Sequence, residues 1–126
     1  MNATLQLPVD NRAPRLARTL IAADLANVLP EECFDTLCLL ITEVVTNSLR
    51  HAEFAAGDRI ELHITLVGGY VRASVRDPGG EATPQLREPH LMSSGGRGLL
   101  LVDELADRWG IKVDDGTCVW FELCTN

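Results

Sequence analysis

Leu39-Leu-Ile-Thr-Glu-Val-Val-Thr-Asn-Ser-Leu-Arg-His-Ala52 places a carboxylate, a carboxamide and an imidazole (Glu43, Asn47 and His51) at four-residue intervals in a largely apolar segment. An α-helix turns once in about 3.6 residues, so positions i and i+4 stack along one stripe. A carboxylate beside an amide oxygen can hold a hard cation such as Mg2+, with Asn47 as a neutral ligand, or accept a proton from a hydroxyl, as Glu43 is placed to do. The plainer alternative is a polar seam facing water.

The rest of the fold is read outward from this helix. It starts near Pro30 or Glu31, a proline-plus-acid opening that suits a helix amino terminus. Phe34, Leu37, Ile41, Val44 and Val45 face inward, and it ends before Gly57. Upstream, Ala3–Val9 reads as a short strand, and a first helix follows Pro14 with Leu16, Leu20, Ile21, Leu25 and Val28 as its apolar stripe. Downstream, Ile60, Leu62, Ile64 and Leu66 alternate with Glu61, His63, Thr65 and Val67, the period of a strand. Gly68-Gly69 fits a tight hairpin, and Val71, Ala73 and Val75 lead the return strand to Asp77. Residues 78–97 are rich in Pro, Gly and Ser and lack periodicity, which in a compact domain marks a functional or mobile loop. A third helix is predicted over about 98–107. Trp109–Val113 and Cys118–Leu123 then form a hairpin around Asp115-Gly116, with Trp109 and Trp120 expected to face each other across it. The order β-α-α-β-β-α-β-β predicts an α+β fold, a single domain over residues 1–126, with a mixed, mostly antiparallel sheet and helices on one face.

Bulk properties narrow the function. A chain of 126 residues with 46% apolar content can bury one core. No apolar run approaches the roughly 18 residues a membrane span needs, and no export pattern opens the chain, so a cytoplasmic protein without membrane attachment is expected. The formal charge of −7, from 18 acidic and 11 basic residues, repels a phosphate backbone and argues against direct nucleic-acid binding. Cys33, Cys38, Cys118 and Cys124 form no Cys-x-x-Cys pair, which favours free thiols in a reducing compartment over a zinc site.

Two later segments join the helix. Val71-Arg-Ala-Ser-Val-Arg-Asp77 runs into Pro78-Gly79-Gly80, and Ser94-Gly-Gly-Arg-Gly-Leu-Leu-Leu-Val102 is a glycine loop opening a helix. In order, the Glu-x-x-x-Asn helix, the Asp-x-Gly strand end and the Gly-x-Gly loop resemble the N, G1 and G2 boxes of the GHKL (histidine-kinase-like) ATPase superfamily. The chain looks most like its anti-sigma-factor and switch-protein serine kinase branch, and Gly98-Leu-Leu-Leu-Val-Asp-Glu-Leu-Ala-Asp-Arg-Trp-Gly110 is similar to actinobacterial members. The resemblance spans roughly residues 10–123 and implies a Bergerat-type two-layer α/β sandwich with an ATP lid over about 78–97.

It also implies residue roles. Asp77 would accept the amino group of adenine, with Gly79 and Gly80 letting the backbone pass close to the ring. Glu81 stands where the family has the last glycine of Asp-x-Gly-x-Gly, a departure that bears on the path of the lid. Gly96 and Gly98 would be the glycines of the phosphate loop, where a helix amino terminus offers free N–H groups. Arg97 between them is either a phosphate contact or an exposed lid residue. Thr117 resembles a threonine that supports the base and phosphate end of such sites. His51 matches a histidine near the end of the same helix and either touches ligand or packs. Arg18, with Arg15 beside it on the first helix, matches an arginine that related anti-sigma kinases turn toward a protein partner.

A P-loop is absent because no Gly-Lys-Ser/Thr follows the glycines, and the late glycine loop lacks a Rossmann setting. The resemblance implies an ATP- and Mg2+-dependent serine/threonine protein kinase that phosphorylates a serine on a STAS-type anti-sigma-factor antagonist, acting as a homodimer that also holds a sigma factor. A nucleotide-gated binding module without phosphotransfer is the alternative. A detached histidine-kinase catalytic domain ranks last, since nothing resembles the dimerising helical hairpin.

Overall fold

The computed structural model describes residues 2–80 and 97–125, with side chains from residue 99 onward in the second stretch. The elements follow the predicted order: β1 (Asn2–Leu7), α1 (Ala13–Leu25), α2 (Glu31–His51), β2 (Ile60–Val67), β3 (Tyr70–Asp77), α3 (Arg97–Leu105), β4 (Arg108–Val113) and β5 (Thr117–Cys124). The strands form one sheet in the order β1-β2-β3-β5-β4.

Every pairing in that sheet is antiparallel, which corrects the mixed sheet expected from sequence. β3 and β4 do run in the same direction, joined through α3. They never pair, because β5 lies between them and runs against both. The helices cover one face, where Leu62, Ile64, Ala73, Val75, Val119 and Phe121 are buried.

α2 is the spine of this layer. The Pro30 carbonyl accepts from Phe34 N–H at 2.9 Å, and Glu31 and Glu32 in the first turn with Arg50 and His51 in the last complement the helix dipole. Leu37, Leu40, Ile41, Val44 and Val45 are buried, and Phe34 packs half-buried at the edge of the core.

α1 departs from its predicted stripe. Its buried row is Ala13, Ala17, Ile21 and Leu25, whereas Leu16 and Val28 are exposed. These four recur at i+4 spacing, and the two alanines bring the α1 backbone close to its neighbours. Periodicity in large apolar side chains does not mark such small residues.

The tryptophans also depart. Trp109 pairs with Phe121 and Trp120 with Gly110, so the two indoles sit on opposite faces of the sheet. Trp109 borders the core and donates to Asp103 Oδ1 at 2.9 Å. Trp120 lies on the face away from the described helices, beneath Arg72, whose guanidinium carbon is 4.1 Å from the ring centroid and which also pairs with Glu122 at 2.9 Å. The three-residue connection 114–116, one longer than a two-residue turn, sets this register. All four cysteines are free; Cys118 is buried and Cys124 exposed on the same strand.

Candidate functional site

The core face turns polar at one end. On β3 the inward row runs from Val75 to Asp77, on β5 from Val119 to Thr117, and on α2 from Val44 to Asn47 and Ser48. A cleft opens there. Val44, Val75 and Val119 form its apolar floor, Asn47, Ser48, Asp77 and Thr117 its polar wall, and His51, Ala52, Gly79 and Gly80 its rim. An apolar floor with a few convergent polar groups is the usual build of a small-molecule site.

Asp77 is the most constrained group in the cleft. Gly79 N–H donates to its Oδ1 at 2.7 Å, and the Ser48 hydroxyl donates to its Oδ2. Across the sheet its register partner is Thr117, which is buried. The carboxylate is thus fixed at both oxygens while its edge borders the cleft.

Asn47 is 7% exposed, and its side-chain carbonyl oxygen is buried with no hydrogen-bond partner among the described residues. Such an acceptor costs about 1–3 kcal/mol when left unmet. A cation or a bound donor would remove that cost. The described residues contain no group of three or more His, Cys, Asp or Glu side chains able to hold a metal. The unmet Asn47 oxygen suits Mg2+ as a single protein ligand, with phosphate oxygens and water completing the shell.

The glycines have local causes. Gly79 has φ +82°, and a Cβ there would lie 3.2 Å from Thr117 Oγ1; at Gly80 it would come within 2.7 Å of the His51 carbonyl oxygen. Glu53 N–H donates to the Gly79 carbonyl at 2.8 Å. The chain therefore leaves β3 pressed against the end of α2, and protein atoms alone already require glycine.

The other predicted residues fall in three places. Glu43 is half-buried on α2, one turn before Asn47, and does not line the cleft formed by the described residues. Arg97 and Gly98 open α3, where first-turn N–H groups lack helical partners. Gly96 and the lid proper lie outside the described residues. On α1, Arg15 is exposed, while Arg18 is half-buried and donates to Thr42 Oγ1 at 2.9 Å. Ser48 escaped sequence reading; its one signal was a hydroxyl mid-helix, directly after Asn47 on the inward face.

A family model described as the histidine kinase-like ATPase domain matches residues 7–123. No curated protein matches the sequence.

Proposed function

The chain belongs to the histidine kinase-like ATPase family, and on that premise we propose that it is an ATP-binding anti-sigma factor that phosphorylates a serine on an antagonist protein. The observation that carries the nucleotide part is the Asp77 carboxylate, held at both oxygens above an apolar floor of Val44, Val75 and Val119. An acceptor in that setting suits a flat ring with one exocyclic amino group. Asn47, with its unmet oxygen, would hold Mg2+, which when bound offsets phosphate charge. The amino end of α3 would face phosphate oxygens through its free N–H groups.

For transfer, Glu43 is the candidate base. It would take the proton of the partner's serine hydroxyl as that oxygen bonds to the γ-phosphorus and ADP leaves, a role that typically supplies about 10²–10⁴ in rate. The similarity of Gly98–Gly110 to actinobacterial anti-sigma kinases supports the choice of partners: a sigma factor and a STAS-type antagonist, met by a homodimer through Arg18 and Arg15 on α1. Incubating the protein with labelled ATP and candidate antagonists tests it: phosphoserine should form with wild type and not with Glu43→Gln. A second reading, nucleotide-gated binding without phosphotransfer, draws support from Glu43 lying outside the cleft lined by the described residues. Label-free antagonists alongside intact nucleotide binding would favour it.

A further inference from the structure

Of the four hydroxyls on α2 (Thr36, Thr42, Thr46 and Ser48), three donate hydrogen bonds, and not to the same kind of partner. Thr36 and Thr42 donate to the Glu32 and Cys38 carbonyls at 3.0 and 2.8 Å, the back-bond usual for hydroxyls within helices. Ser48, 5% exposed, instead donates across to Asp77 Oδ2. A hydroxyl has one proton and two lone pairs, and a carboxylate only accepts. With the Ser48 O–H engaged in donating to Asp77, the pair offers the cleft lone pairs alone.

The terminal torsion of an aspartate is broad, so its carboxylate turns easily unless held. Gly79 N–H at 2.7 Å fixes Oδ1, and Ser48 fixes Oδ2. Without Ser48 one oxygen would swing free and the carboxylate could tilt toward other donors on a ring edge. The fixed pair matches a purine bearing an amino group at C6 and repels one bearing a carbonyl there.

We propose that Ser48 is a positioning residue for base choice, acting through Asp77 to favour 6-amino over 6-oxo purine nucleotides. This rests on the reading of the cleft as an adenine-nucleotide site. The test is calorimetric titration of ADP and of IDP, whose base carries the C6 carbonyl, into wild type, Ser48→Ala and Ser48→Thr. Wild type prefers ADP. Ser48→Ala loses about tenfold in ADP affinity, the scale of one hydrogen bond to a charged group, and little for IDP, so the preference narrows by a similar factor. Ser48→Thr keeps a donor and keeps the preference. A merely structural role would lower both affinities together. An unchanged ADP-to-IDP ratio in Ser48→Ala therefore overturns the proposal, as does a Ser48→Thr variant that loses the preference as fully. Wild type binding neither nucleotide would reject the adenine site itself, and the role of Ser48 with it.

Discussion

Arg18 on α1 reaches across to α2 and donates to Thr42 Oγ1 at 2.9 Å, while the Thr42 hydroxyl itself donates to the Cys38 carbonyl at 2.8 Å. The arginine proposed for partner contact is therefore also a clasp between two helices, and it grips the residue just before Glu43.

That double role separates two variants. Arg18→Glu replaces a donor with a carboxylate and should weaken partner capture while also lowering the melting temperature, since an engaged hydrogen bond is worth about 1 kcal/mol. Arg15→Glu, on the exposed neighbour, should weaken capture without that loss, because a surface that receives arginines is acidic and like charges across an interface cost several kcal/mol. Pull-downs with candidate sigma factors, paired with thermal melts and ADP titration, check this. Undiminished capture by both variants would move the interface off α1.

Asp77→Ala should reduce ADP affinity by about tenfold to a hundredfold, since it leaves an amino group unmet in a half-buried setting. It also frees Ser48 and Gly79 N–H, so part of the loss belongs to the wall and not to the base contact. Calorimetry showing wild-type affinity in Asp77→Ala would remove this residue from the site.

Asn47 and Glu43 should fail differently. Asn47→Ala removes an acceptor that has no partner among the described residues, which offsets lost packing, so the melting temperature without ligand should change little while the Mg2+-dependent part of ATP affinity disappears. Glu43→Gln should keep nucleotide affinity and lose phosphotransfer by about 10²–10⁴. Binding with and without Mg2+, beside a single-turnover phosphorylation assay, distinguishes the two.

The four thiols should react in a set order. Burial pushes the Cys33 thiol up, helped by negative charge from Cys124 and Asp107, and burial likewise raises Cys38, with Arg18 partly opposing and Asp35 adding to it. A raised value leaves less thiolate at a given pH, so alkylation slows. At mildly alkaline pH iodoacetamide should modify exposed Cys124 first, Cys33 and Cys38 later, and buried Cys118 last. Peptide mass spectrometry over time reads the order; Cys33 reacting as fast as Cys124 would contradict it.

Strong local periodicity was legible. The β2–β3 hairpin, the length of α2 and the positions of Asn47 and Asp77 came from spacing that survives folding unchanged. Features set by pairing were not. Whether Trp120 meets Trp109 or Gly110 depends on the loop connecting β4 and β5, and a shift of one residue reverses every side chain. The alanine row of α1 was hidden because small residues carry little apolar weight yet allow close approach. Ser48 was invisible because its partner lies 29 residues away, and a serine inside a helix has no local mark of that bond.

The placement of β5 bears on how the molecule comes into being. β5 follows the other described strands in sequence, yet it sits between β3 and β4 and supplies Thr117 opposite Asp77. During synthesis β3 waits with one edge open, and β4 has no sheet to join, until the segment through Cys124 has left the ribosome. Such late, non-local closure is slow and leaves a strand edge exposed to other nascent chains. A polypeptide halted before residue 117 would hold α2 and Asp77 and still lack Thr117 of the polar wall and Val119 of the floor. The strand that closes the described sheet is thus the one that completes the described wall of the cleft.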